Sequence, residues 1–594
     1  MEKLSGKHNS SVQHAKYYRN ILTPGKIGIY FSRYTIDGLQ YLLVAEERFE
    51  RLIVKTILFL CLFALSYGSI EDAMLVISGA SCIEELTEDA VSMFAHYTEH
   101  PIDLNAASER KLVSSGLMSS YQAASLCEYR KRSGDVLSWQ ELAFVDGFSS
   151  RYAHALESFA VLRQRGAPGA AETDGIRGDL TLFGGASIPT AATISDKESV
   201  RFRYGLRAAL EFKGKYELMW NTRTTFSSPK LGIGTISAGW EGRRGKLILG
   251  HYNSRFGQGL VSWSGFKLSG FSSMAAFSRN GSGVSPTSSA AAELMGIAGS
   301  LYIGHGELNA GISVPTKDAL INYSFYRKRY NAGATISTKA VSLSERISLR
   351  HFSIFSELAW SYLGGPAVEG GVLWVPVYGV SLALNGRYHS PGWNKYSGIA
   401  FGAEGKGIFF SLDYSSNPVR KKERLKAVLT AGKEFSAGEW VLKPIFRTSV
   451  TKAFGAGDNC RTDLRLDILS QCRMWRMNVR GNALFGNSFA WLAYLETAAV
   501  TDSFSAYLRM TGFDVKQWND RIYSYERNAP GNFSIPAYYG KGANVSAYVA
   551  MKAGGGKTRC RHHVWIRAEY TLYFKGSARR TSGAGCVIQY KFQF

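Results

Sequence analysis

The chain has 594 residues, a formal net charge of +23 and only 45% hydrophobic residues at a mean hydropathy of −0.11. That hydropathy excludes a helical-bundle membrane protein, while Gly 62, Tyr 32 and Phe 33 against Pro 14 suit many strands joined by turns. The Lys and Arg residues are spread along the chain, which fits solvated loops and a polar interior facing anionic lipid better than one nucleic-acid patch.

Residues 1–50 are polar, basic and unpatterned, and are expected to be a misassigned or disordered extension. Arg51 and Lys55 then precede the apolar run Ile57–Leu65 and the small residues Ser66-Tyr67-Gly68. A basic start, a short apolar core and small residues before a cut predict a signal peptide over 51–68, too short to span a bilayer as a helix.

Residues 69–165 read as a small all-α domain. Ile83-Glu84-Glu85-Leu86 opens an amphipathic helix broken at His100-Pro101, and Ser108 or Asn105 can cap the next one. Turns follow at Gly116-Leu117-Met118-Ser119 and at Gly147-Phe148-Ser149-Ser150. Cys82 and Cys127 lie within this segment and can pair across it.

The order Ile102-Asp103-Leu104-Asn105-x-Ala107-Ser108, then Glu128-Tyr129-Arg130, with paired hairpins between and after, resembles the competence-type tandem helix-hairpin-helix domain. The resemblance implies hairpins whose amides hold a DNA phosphate at a helix N-terminus. Gly116 and Gly147 match the first glycine of each hairpin, but Met118 and Ser149 replace the second, where the backbone must approach the phosphate. Two readings therefore stay open: a packing module for a periplasmic protein partner, or a contact for nucleic acid.

From 170 to 594 the pattern changes to period two. Arg201, Arg203 and Arg207 alternate with Phe202, Tyr204 and Leu206; Arg465 with Leu464 and Leu466; Arg480 with Val479; Arg567 with Ile566 and Ala568. Charge on one face and apolar side chains on the other predict strands of a transmembrane antiparallel barrel, roughly 16–20 of them at about ten residues per strand. The same alternation makes these arginines candidate lumen-lining groups. In Arg255-Phe256-Gly257-Gln258-Gly259-Leu260 the glycines Gly257 and Gly259 suit a loop folded inward, as does the late segment with Arg521, Glu526 and Pro536. The final strand alternates through Cys586, Ile588, Tyr590 and Phe592 and stops on Phe594. That ending resembles the terminal strand by which outer-membrane barrels are recognised by the assembly machinery.

The architecture is similar to Gram-negative outer-membrane proteins that join a helix-hairpin-helix domain to a barrel. The resemblance implies an outer-membrane location, lipid contact and a periplasmic helical domain, and names no activity. Enzyme signatures fail: Gly554-Gly555-Gly556-Lys557-Thr558 lacks the earlier P-loop glycine and joins two strands, and no Gly-x-Ser-x-Gly occurs. Cys560, His562 and His563 cannot converge on one metal because His563 points away from the other two. The expectation is a pore, transport or anchoring protein without cofactor, metal or catalytic site, with DNA uptake as the alternative.

Overall fold

A computed structural model describes the chain except residues 1–69, 164–174, 190–199, 226–229, 266–269, 350, 378, 456–458, 502, 555–559 and 575–581. The extension, the signal segment and most of the Gly554–Thr558 turn lie outside the described residues. Residues 436–441 group with the chain start as a separate unit, and the rest from Ser66 onward forms the other.

The strands close into one antiparallel barrel, with twenty-four around the wall among the described residues and short extra strands at Gly283–Pro286 and Phe435–Ala437. The number exceeds the 16–20 expected because many connections are tight; Ser337 and Ala340, for example, end and begin neighbouring strands. Closure joins the first strand, Ile176–Pro189, to the last, Gly583–Gln593. Gly178 and Phe594 exchange both backbone hydrogen bonds at 3.0 Å. Both ends of the barrel sequence thus lie at one rim, called here the terminal rim.

Burial in this wall is the reverse of a soluble sandwich. Along the last strand Val587, Gln589 and Lys591 are buried, while Ile588 and Tyr590 are exposed. Across the barrel Asn309, Asn322, Glu357, Asp413, Glu496 and Arg509 are buried, whereas Leu343, Trp360, Ile399 and Trp475 are exposed. An apolar exterior is stable only where hydrocarbon replaces water, and a closed ladder leaves no unpaired backbone edge in it.

The helical region packs its own core from Leu104, Leu112, Leu117, Leu126, Leu142, Leu156, Phe94 and Phe159. Its helices are Ile70–Ser78, Glu88–Glu99, Glu109–Ser114, Ser120–Ser133, Trp139–Leu142 and Ser150–Leu156. Most start at a hydroxyl cap: the side chains of Thr87, Ser108, Ser119, Ser138 and Ser149 each accept a backbone N–H three residues on. Of the two candidate caps, Ser108 takes the role. Asn105 is instead buried and clamps Val136 through both backbone groups at 2.9 Å. Ile83–Glu85 forms a separate 3-10 turn before the capped helix, not that helix's first turn. Cys82 and Cys127 are free thiols, so the pairing expected for them is not made; Cys82 instead accepts from Arg447 Nη1 at 2.8 Å.

The region was expected to be a periplasmic domain, a side of the membrane that the fold alone does not assign. Its ion pairs reach the inward face of the wall, so it lies within the lumen on the side of the terminal rim. The physical reason is charge complementarity: the lumen is rich in arginine, and the entering segment is rich in acid.

Candidate functional site

Between Lys55 and Arg110 the sequence contains no Lys or Arg, and Glu71, Asp72, Glu84, Glu85, Glu88 and Asp89 follow one another in its helical part. Four of these glutamates meet wall or loop arginines. Glu88 takes a bidentate pair from Arg223 at 2.8 and 3.2 Å. Glu85 accepts from Arg447 at 2.7 Å. Glu84 bridges Arg465 at 3.1 Å and Arg480 at 2.5 Å, and both arginines also hold Asp467 at 2.5 Å. Glu71 pairs with Arg527, which reaches on to Glu496 at 3.0 Å.

Burial pushes the Glu84 carboxyl up, but Arg465 and Arg480 outweigh it and hold the group well below the usual carboxylate range. Burial likewise opposes ionisation of Glu71 and Glu85, and Arg527 and Arg447 respectively keep both lowered. All three stay charged at neutral pH. Buried pairs of this kind fix one arrangement, because removing either partner strands the other charge.

Two loops from the opposite rim close over the domain. In residues 516–539, Tyr525 donates its backbone N–H to Glu84 at 3.1 Å, and Phe533 packs on the helical core. Glu526 is buried against Arg567 and Tyr538, and Arg567 also meets Glu569 at 2.5 Å. Arg521 stays apart from Glu526: it donates to Tyr523 Oη at 2.6 Å and stacks 4.8 Å over Trp518. In residues 256–265, Gly257 and Gly259 adopt φ of +56° and +84°. A Cβ at Gly257 would lie 2.7 Å from the Glu357 carboxylate, which accepts from the N–H groups of Gln258 at 2.7 Å and Leu260 at 3.1 Å. Glycine there lets the turn sit on a buried acid.

Of the other arginines singled out from sequence, Arg207 lies against Gly531 of the late loop and Arg203 against Gly185 of the first strand. Arg201 is exposed near the strand's loop end. Arg465 and Arg480 pair with Glu84, whereas Arg567 pairs with Glu526 of the late loop and Glu569 of its own strand. The domain's acids and their partners Arg223, Arg447 and Arg527 were missed; the signal that finds them is the long base-free, acid-rich stretch opposite arginine-bearing strands.

The two hairpins turn their polar groups inward on their own domain. Leu117 N–H donates to Ser115 Oγ at 3.1 Å, and Ser119 N–H to Gln122 Oε1 at 2.9 Å, completing a capping box. Leu117 and Met118 are buried, and Tyr152 Oη donates to the Leu117 carbonyl at 2.5 Å. In the second hairpin Gln122 donates to the Gly147 carbonyl at 2.9 Å, Phe148 is buried, Ser149 caps a helix and Ser150 is exposed. Among the described residues no group of His, Cys, Asp and Glu has the placement to hold a metal.

An apolar-walled closed barrel with an ion-paired helical domain against its inward face is a barrel of the membrane-spanning kind. The chain is similar to the solved structures of Pseudomonas aeruginosa OccK5 (OpdH), at 8% identity and a TM-score of 0.30 over 72% of this chain and 100% of that one. It is similar to the outer membrane protein OpdK of Pseudomonas aeruginosa at 10% identity, TM-score 0.28, over 71% of this chain and 99% of that one. Acinetobacter baumannii OccAB3 matches at 9% identity, TM-score 0.29, over 70% of this chain and 99% of that one. No protein-family model and no curated protein matches the sequence.

Proposed function

We propose that the chain is an outer-membrane transport barrel whose helix-hairpin-helix domain is a latched plug, released when cargo passes. The observation that carries the reading is the set of ion pairs, half-buried to nearly buried, from Glu71, Glu84, Glu85 and Glu88 to Arg527, Arg465, Arg480, Arg447 and Arg223. A permanent filling would need only apolar packing; charge pairs across a polar cleft can be exchanged for water when the domain moves. A wide barrel encloses a channel once its filling leaves. With the terminal rim in the periplasm, the domain's exposed face, carrying Leu137, Phe144 and Arg132, opens to a periplasmic protein partner. That partner serves as the trigger, and the lumen arginines suit anionic cargo.

DNA contact is the weaker alternative, because the hairpin amides of Leu117 and Ser119 already have acceptors within the domain. Planar-bilayer recording of the full chain tests the reading. The parent should show small or rare openings, and Glu71→Lys with Glu84→Lys should give large, long ones. Equal large conductance in both would remove the latch; silence in both, with the barrel inserted, would remove the pore.

A further inference from the structure

The terminal rim carries a feature that the plug does not use. Several turns at this end present an exposed cation: Lys213, Arg244, Arg327, Lys406 and Lys433. Lys328, the cation at this rim that faces the domain, is engaged there by Glu128 and Asp146 at 2.8 and 3.0 Å. Within the turns themselves Glu434, beside Lys433, is the exposed carboxylate, while Glu211, Glu217, Glu241 and Glu404 stand on the adjoining strand ends.

Directly above the cations stands an outward aromatic belt of Phe212, Tyr216, Trp240, Tyr330, Phe435 and Trp475, all exposed. The Lys213 ammonium lies 5.4 Å over Phe212, Lys433 5.2 Å over Phe435, and the Arg327 guanidinium 6.0 Å over Phe325. Aromatic rings settle at the boundary between hydrocarbon and headgroup, and long cations snorkel outward from it. The ammonium and guanidinium groups therefore end at headgroup depth.

We infer that this rim is a binding surface for anionic glycerophospholipid headgroups in the leaflet on the terminal side. The inference rests on the membrane-spanning reading above. Each of these turns offers an N–H-bearing cation to a phosphodiester, and together they spread the offer over much of the rim. A headgroup with net negative charge satisfies it, whereas a zwitterionic one sets its own ammonium against these cations. Attraction of basic side chains to such a surface acts over a Debye length and adds residue by residue.

The test is native mass spectrometry of the full chain after reconstitution with equal phosphatidylglycerol and phosphatidylcholine. The parent should retain phosphatidylglycerol preferentially. Joint replacement of Lys213, Arg244, Arg327, Lys406 and Lys433 by Gln should cut that retention by at least about three-fold, while Lys-for-Arg replacements keep it. Should the Gln variant not assemble, the parent's preference must still shrink as salt is raised. Equal retention of the two lipids by the parent, or an unchanged preference in the assembled Gln variant or at high salt, overturns the rim. Insertion into pure phosphatidylcholine vesicles, followed by heat modifiability, separates the two levels. Failure there sinks the membrane-spanning reading; success with no lipid preference sinks only the rim.

Discussion

The segment Ile70–Glu88 and the hairpin body from Glu109 to Leu156 belong to one domain, yet they meet the barrel in opposite ways. The first sends glutamates into the lumen, where Glu84 and Arg480 keep side-chain exposures of 11% and 9%. The second meets the wall at the rim, through Arg110 to the Gly304 and Gly306 carbonyls, Ser120 to Asn331 and the Lys328 pairs, where Asp146 keeps 68%. Coulomb attraction is several-fold stronger in the buried setting, but so is the cost of leaving one partner alone. Position and specificity therefore reside in the first segment, and the second mainly supplies folded mass.

The sharpest break is at Glu84. Replacing it with Gln leaves Arg465 and Arg480 sharing only Asp467, and breaking a buried pair in this way costs about 3–5 kcal/mol. Plug docking should weaken accordingly, read as protease access to residues 70–88 in the assembled protein and as channel opening. A variant as protected and as quiet as the parent would mean that the arginines hold the plug without the acid. The wall supplies a control of similar size: Ile566→Arg, on the exposed apolar face, should destabilise assembly by about 2–4 kcal/mol at mid-bilayer. It should leave the plug's protease protection unchanged in the molecules that do assemble.

Acid should loosen the stretch from Glu71 through the helix Glu88–Glu99 before the hairpin body. Burial, with His100 and Lys591 adding to it, pushes His96 down to about 3, so the folded state keeps this ring neutral. Its folded value lies below the ordinary 6.5. The unfolded chain thus binds the extra proton as pH falls below 6.5, and stability drops from there toward pH 3. Glu71, Glu84 and Glu85 are depressed carboxylates, so their contribution is full above their ordinary value of 4.5 and is lost as pH falls through the lower folded values. Protease protection should decline in two steps, and His96→Gln should remove the upper one. A single step below pH 4 in the parent would discount the histidine.

Much of the wall was legible in sequence, because period-two alternation maps directly onto inward and outward faces: Gln589 and Lys591 are buried while Ile588 is exposed. Strand number was underestimated because turn length is set by local geometry that composition hardly constrains. The helix starts were legible wherever a hydroxyl precedes an apolar run, as at Ser108 and Ser119. The plug's location was not, because a helical domain's own pattern records its core and not what surrounds it. Only the acid-rich stretch from Glu71 to Asp89, set against arginines hundreds of residues away, carried that information, and pairing the two requires the barrel to be closed first.

The hairpin body should respond more mildly, through its own folding. Ser119→Ala removes one half of the capping box with Gln122 and should cost about 0.5–2 kcal/mol, seen as earlier melting of the helical signal with the Glu84 contacts intact. Lys328→Ala should do least. Its partners Glu128 and Asp146 are 35% and 68% exposed, and the Glu128 carboxyl is already engaged by Arg132 in the next helical turn. Water and counter-ions replace what Lys328 gives them, so the loss should stay within about 0–1 kcal/mol and fade as salt is raised. Conductance of that variant should match the parent. If Lys328→Ala instead opened the channel as widely as Glu84→Gln, the latch would lie at the rim, and the buried pairs would be a consequence of docking and not its cause.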